Sequence, residues 1–174
     1  MKVVRLVKKA KKGSKEALLQ LIMDQRDDYY RLALTYMGNE NDAMDAMEEM
    51  IVSLYMNIHQ LKKEAAFYSW SKTILVNSCK QMLKKRQNLV LVDEWDSEES
   101  AHDPYLQSEQ HMEIQEMLTI VNEHQKEAIQ LKYFHDLDYE TIAEMTKVSV
   151  GTAKSRVFQG IKKIRKQYRG EVDG

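Results

Sequence analysis

At 174 residues the chain has room for one domain or two small ones. One proline, six glycines and an abundance of Met, Leu, Ala, Lys, Glu and Gln predict an all-α protein. A single cysteine, Cys79, excludes an internal disulfide and fits a reducing compartment. No apolar run has the length of a signal peptide or a membrane span, so a soluble, cytoplasmic protein is expected.

The formal net charge of −1 conceals segregation. Residues 1–90 hold 16 Lys/Arg against 10 Asp/Glu, residues 91–127 hold one Lys against 11 acids, and residues 128–174 hold nine cations against six acids. Two basic blocks around an acidic one suggest two nucleic-acid-facing domains joined by a solvated linker, although charges that merely keep the chain soluble would give the same count.

In chain order, Gly13-Ser14 offers a cap before a helix to about Met23; a second helix runs to about Met37, and Gly38-Asn39 breaks it. From Asp42, the residues Met47, Met50, Ile51, Leu54, Tyr55 and Ile58 recur at steps of three and four, which predicts one buried helix face. The opposite face presents Asp45, Glu48, Glu49, Val52 and Met56, a mixture that suits a partner helix but also fits scattered surface apolars. After a loop over residues 59–66, FYSWSKTILVNSCKQMLKKR predicts a helix with Phe67, Trp70, Ile74 and Met82 near one side, ending at Lys84-Lys85-Arg86. Tyr68, Trp70 and Lys72 interleave aromatic and basic character, as single-strand binders do; core packing is the competing role for Phe67 and Trp70.

Periodicity fails from Gln87 to Ser108, an acidic stretch with the chain's only proline, Pro104. The expected layout is a helical domain over 1–88, a flexible acidic linker over 89–108 and a second helical domain over 109–174. The apolar opening of the linker, Leu89 to Val92, suits docking on a domain or partner. Two helical segments follow between Ile114 and Phe134, with Val121, Ala128, Ile129 and Leu131 as core.

The strongest local pattern is LDYETIAEMTKVSVGTAKSRVFQGIKKIRKQY. It predicts a helix over about Tyr139 to Thr146, a tight turn, and a longer helix capped by the Ser149 hydroxyl, which together form a helix-turn-helix. Ile142 and Ala143 would pack against Val150, Ala153, Val157 and Ile161. Thr152, Lys154, Ser155, Arg156 and Gln159 would face outward early in the second helix, with Lys162, Lys163, Arg165 and Lys166 later. Short polar and Arg side chains at the tip suit base edges, and cations along the flank suit phosphates.

These residues resemble the extracytoplasmic-function sigma factors of the sigma-70 family. Leu137, Tyr139, Glu140, Ile142 and Ala143 match the first part of that family's C-terminal signature, and Gly151, Thr152, Lys154, Ser155 and Arg156 the second. Asp42-Ala43-Met44-Asp45 with Glu49 is similar to its core-binding helix, and FYSWSKTILVNSCKQMLKKR to its minus-ten segment. The resemblance covers almost the whole chain. It departs at Met44, Glu48 and Ile51, where the family has an acid, Gln and an aromatic, at Ala153 in place of Val, and at Lys147, where a turn Gly is common.

The resemblance implies binding to RNA polymerase core through the β′ coiled coil, with Asp45, Glu48, Glu49, Val52 and Met56 at the contact, and through the β subunit. It implies that Lys62, Lys63, Tyr68, Trp70, Lys72 and Asn77 open and hold the minus-ten element. It implies that Thr152, Lys154, Ser155, Arg156, Gln159, Lys162 and Lys163 read the minus-thirty-five element of promoter DNA. Transcription of a stress-response regulon, under an anti-sigma factor that clamps the two domains and can be membrane-anchored, would follow. A helix-turn-helix regulator acting without polymerase is the alternative. An enzyme is not expected: five histidines show no metal-ligand spacing, no phosphate loop is present, Cys79 has no evident base, and no cofactor or metal is implied.

Overall fold

A computed structural model describes residues 1–90 and 109–173, whose regular elements are all helical with no strand among them. The chain divides into two compact units, Met1–Ala101 and His102–Gly174. Residues 91–108, with most of the expected linker and with Leu91 and Val92, lie outside the described residues.

The N-terminal unit contains α1 (Lys2–Lys11), α2 (Lys15–Asp24), α3 (Arg26–Met37), α4 (Glu40–Asn57) and α5 (Phe67–Val90). Its punctuation follows local chemistry. Gly13 takes φ +105°, and Ser14 Oγ accepts from the Ala17 N–H at 3.2 Å to start α2. Gly38 ends α3 in the left-handed region at φ 79°, where a side chain would be strained, and Asn39 caps α4 by accepting from the Asp42 N–H at 2.9 Å. Each such cap stabilises its helix by about 1 kcal/mol. Two short 3-10 turns, Ile58–Gln60 and Glu64–Ala66, bridge α4 to α5.

Helices α3, α4 and α5 pack on one another around Tyr29, Leu32, Met50, Leu54, Phe67, Leu75 and Val76, and α1 packs on α2. Tyr29 crosses the core to Ser71 with a 2.7 Å hydroxyl hydrogen bond, which satisfies two buried polar groups at once. Asp42 pairs with Arg86, tying the start of α4 to the late turns of α5; that guanidinium hydrogen bond is the main influence holding the Asp42 carboxyl below the usual range. Cys79 is fully buried, and desolvation pushes its thiol up to about 12.

One helix of this unit was not expected, and the expectations for α4 and α5 change. The opening charged run is a helix, α1, because Leu6, Val7 and Ala10 form a buried stripe. In α4 the buried face is Ala43, Ala46, Met47, Met50 and Leu54, while Ile51 and Tyr55 are exposed. Steps of three and four admit two overlapping stripes, and the alanines, whose small side chains let neighbouring helices approach, decide between them. In α5 the buried face includes Ser71, Leu75, Val76, Ser78 and Cys79, with Ile74, Trp70 and Met82 only half-buried. This helix continues past Lys84-Lys85-Arg86 to Val90, into the expected linker, since neither Gly nor Pro stops it there.

The C-terminal unit holds α6 (Glu109–Leu118), α7 (Glu123–Ile129) with a following π-type turn over Gln130–Phe134, α8 (Tyr139–Thr146) and α9 (Val150–Asp173). Asn122 and Gln125 close a reciprocal capping box on α7, and Asp138 caps α8 through the Thr141 N–H at 2.8 Å. Leu118, Val121 and Ile129 pack with Ile114, Ile161 and Ile164, and Ala128 and Leu131 are buried as expected. Ile142, Ala143, Ala153 and Val157 are buried as predicted and Ile161 is half-buried, but Val150, the first residue of α9, is exposed. At Gly160 the helices approach so closely that an added Cβ would lie 2.6 Å from Ile129 Cδ1 and 3.2 Å from Gln125 Cβ.

Lys147 is left-handed, φ 59° and ψ 45°, where a Cβ costs about 1 kcal/mol. Lys147→Gly is therefore expected to raise the unit's stability by up to about 1 kcal/mol; thermal unfolding checks it, and an unchanged or lower midpoint would contradict the strain.

Candidate functional site

The outer face of α4 gathers five exposed large apolar side chains of the N-terminal unit. Met44, Ile51, Val52, Tyr55 and Met56 are exposed by 45, 38, 58, 54 and 64%. At 100° per residue they share roughly 160° of arc with Asp45, Glu48 and Glu49. All three acids are exposed. Such apolar side chains studded with carboxylates on one rigid helix have the make-up of an interface, with desolvated anchors and polar selectivity around them. The surface is broader than the sequence-based set, which lacked Met44, Ile51 and Tyr55. Lys15 from α2 reaches over the Tyr55 ring at 5.4 Å and borders it.

The segment over 61–77 does not form the single aromatic-basic surface expected of Tyr68, Trp70 and Lys72. Residues two apart on a helix lie about 200° apart. Tyr68 and Lys72 therefore share one side, where the Tyr68 hydroxyl donates to the Leu21 carbonyl at 2.9 Å and Lys72 Nζ sits 5.9 Å from the Tyr68 ring centroid. Burial pushes the tyrosine's pKa up and the lysine's down. Trp70, half-buried and 6.1 Å from the Phe67 ring, falls on the other side with exposed Asn77. Lys62 and Lys63 are exposed between the two 3-10 turns.

In the helix-turn-helix, Ser149 Oγ accepts from the Thr152 N–H at 3.1 Å and donates to Thr152 Oγ1 at 3.0 Å. Thr152, Ser155, Gln159 and Lys163 follow steps of three and four and make one outward ridge. Gln159 donates to Ser155 Oγ at 3.3 Å, and Lys163 to Gln125 Oε1 at 3.4 Å. Arg156 is half-buried on the α7 flank, where a groove is lined by Asn122, Gln125, Thr152, Ser155, Arg156 and Gln159. On the opposite flank, Lys154 Nζ lies 5.8 Å from the Tyr139 ring centroid. Lys162 is exposed. An N-terminal ridge of short polar groups with cations behind it suits a major groove, which accepts a helix of this width.

Sequence reasoning missed Phe158, which is 74% exposed between Lys154 and Lys162. An aromatic placed among cations suits apolar contact with a thymine methyl group. Among the described residues no group of His, Cys, Asp and Glu could hold a metal ion, and no helix is long and apolar enough to cross a membrane.

Residues 21–89 match the family described as Sigma-70 region 2, and residues 111–164 match Sigma-70, region 4. The chain is 30% identical over 166 residues to the RNA polymerase sigma factor SigV of Bacillus subtilis (strain 168), covering 94% of this chain and 98% of that protein. To the ECF RNA polymerase sigma factor SigW of the same organism it is 26% identical, covering 97% and 98%. The fold is similar, at TM-score 0.69 and 19% identity, to the sigma factor RpoE solved with the anti-sigma factor NepR from Bartonella quintana, covering 86% of this chain and 95% of that one.

Proposed function

The chain belongs to the extracytoplasmic-function sigma factors of the sigma-70 family, and on that premise we propose how its two units divide the work of directing RNA polymerase to a promoter. Residues 1–88 bind core enzyme and take the minus-ten element, residues 89–108 link the units, and residues 109–174 read the minus-thirty-five element as duplex. The observation that carries this reading is the outer face of α4, whose exposed apolar and acidic side chains a regulator acting without polymerase would have no use for. Asp45, Glu48, Glu49, Val52 and Met56 meet the β′ coiled coil, joined by Met44, Ile51 and Tyr55.

Trp70 and Asn77, with Lys62 and Lys63, are the accessible residues for unpaired bases and backbone at the minus-ten element; Tyr68 and Lys72 brace that segment from behind. Thr152, Ser155, Gln159 and Arg156 read bases, while Lys154, Lys162 and Lys163 hold phosphates. The protein acts in the cytoplasm with the polymerase, carries out no chemistry itself, and answers to an anti-sigma factor that covers these surfaces, a regulation supported by the fold it shares with a sigma factor captured in such a complex.

Promoter-specific transcription from core enzyme with no other sigma present is the expected result; repression, or indifference to core, would favour the polymerase-independent regulator. Within that assay Arg156→Ala should weaken minus-thirty-five recognition by about 1 to 3 kcal/mol in a base-dependent manner. Lys163→Ala should weaken all sequences almost equally and lessen the salt dependence. Identical sequence preference in wild type and Arg156→Ala would remove Arg156 from the reading set.

A further inference from the structure

The net positive charge of the N-terminal region sits in one place. Residues 1–90 hold 16 Lys/Arg and 10 Asp/Glu, yet residues 1–12 supply six of those cations and none of the acids, leaving residues 13–90 balanced at ten of each. The buried stripe Leu6, Val7 and Ala10 fixes the rotation of α1. Lys2, Arg5, Lys8, Lys9 and Lys12 consequently share an outward arc of roughly 120°. All five are exposed.

The edges of this arc are anchored. Lys2 pairs with Asp24 at 3.3 Å. Lys11, half-buried, donates to the Leu61 carbonyl at 2.7 Å and pairs with Glu64 at 3.7 Å. Among the described residues Arg5, Lys9 and Lys12 form no ion pair with a carboxylate of the chain, and Lys8 lies within electrostatic range of Glu64 without pairing with it. Like charges three and four residues apart repel one another, so the stripe is unfavourable in isolation and its natural complement is a row of anions. Its mooring to Leu61 and Glu64 sets it beside the segment that exposes Lys62 and Lys63.

We propose that α1 is a phosphate clamp, in which Arg5, Lys8, Lys9 and Lys12 hold the sugar-phosphate backbone of promoter DNA next to the strand taken by residues 61–77. The inference rests on the sigma-factor reading of that segment. A nucleic acid is favoured over an anionic membrane because the apolar side of α1 is already buried in the unit and has nothing to insert into lipid.

The test uses holoenzyme assembled from core polymerase and the full chain, with Arg5, Lys8, Lys9 and Lys12 all changed to Gln. Gln keeps helix propensity near that of Lys and Arg, and the four sites are exposed, so the variant folds and binds core as wild type does. Promoter affinity should fall roughly tenfold or more, and the slope of log affinity against log salt should lessen by about 3, for promoter and scrambled flanks alike. Duplex and pre-melted probes separate the two sources of backbone: a change on both assigns the contact to duplex, a change on the pre-melted probe alone assigns it to the single strand, and either upholds the clamp. An unchanged slope on both overturns it. So does loss of binding to phosphatidylserine vesicles in the variant with promoter binding intact, which would make the partner a membrane surface. Failure of wild-type holoenzyme to bind any promoter would overturn the sigma reading itself, and the clamp with it.

Discussion

Truncating Val52 and Met56 together to alanine should weaken binding to RNA polymerase core by roughly 2 to 4 kcal/mol, about thirty- to a thousandfold. Both side chains stand in water on α4, so their removal costs the free protein little, within about 0.5 kcal/mol per site, and the loss appears only on docking. The effect is large because the two residues lie one turn apart among Asp45, Glu48 and Glu49, where an apolar anchor is enclosed by groups that exclude water. Neutralising Asp45 or Glu49 should by comparison act chiefly on the association rate and its salt dependence. Competition against a labelled sigma factor for core measures the affinity. A double variant within twofold of wild type would refute the assignment of this face.

Gly160→Leu should destabilise the C-terminal unit by about 3 kcal/mol, the upper part of the range for overpacking. Of the two atoms that crowd an added Cβ, Ile129 Cδ1 is the far end of a side chain and can turn aside, but Gln125 Cβ is fixed to the backbone of α7. The displacement would spread. Gln125 belongs to the capping box of α7 and accepts from Lys163, so separating α7 from α9 disturbs the flank of the outward ridge of α9 as well as the core. Thermal unfolding of the full chain should show a transition moved to lower temperature, with minus-thirty-five recognition lost before core binding. Gly151→Ala is the contrast, since its added Cβ meets only Ser149 Oγ at 3.9 Å. Equal midpoints for Gly160→Leu and wild type would show that α7 and α9 can move apart freely.

What was legible in the sequence was chiefly what a few neighbouring residues decide. Ser14, Gly38 and Asn39 punctuate helices through hydrogen bonds and dihedrals within four residues, and the helix over Tyr139–Thr146 with its Ser149 cap was readable for the same reason. The left-handed Lys147 was identifiable as a strained turn from the glycine usual in the family. Decisions made by distant partners were not legible. Whether Ile51 and Tyr55 or Ala43 and Ala46 face the core depends on how close α3 and α5 come, and a polar Ser71 in the core makes sense only once Tyr29 is seen opposite. Gly160 reads as a poor helix former until α7 is found against it. For the candidate site, the composition of α4 was readable but its width was not, and the alternation at Tyr68, Trp70 and Lys72 concealed a division between two sides of α5.

The burial of Cys79 bears on how the two units can be observed. Burial pushes its thiol up to about 12 and leaves none of its surface exposed, so little thiolate forms near neutral pH in the folded unit. A cysteine introduced at an exposed position in each unit will therefore take a maleimide fluorophore while the native one stays silent, with no need to replace it. The chain is in effect a ready background for energy-transfer measurements of the separation between its two units, free, with core enzyme and with a promoter.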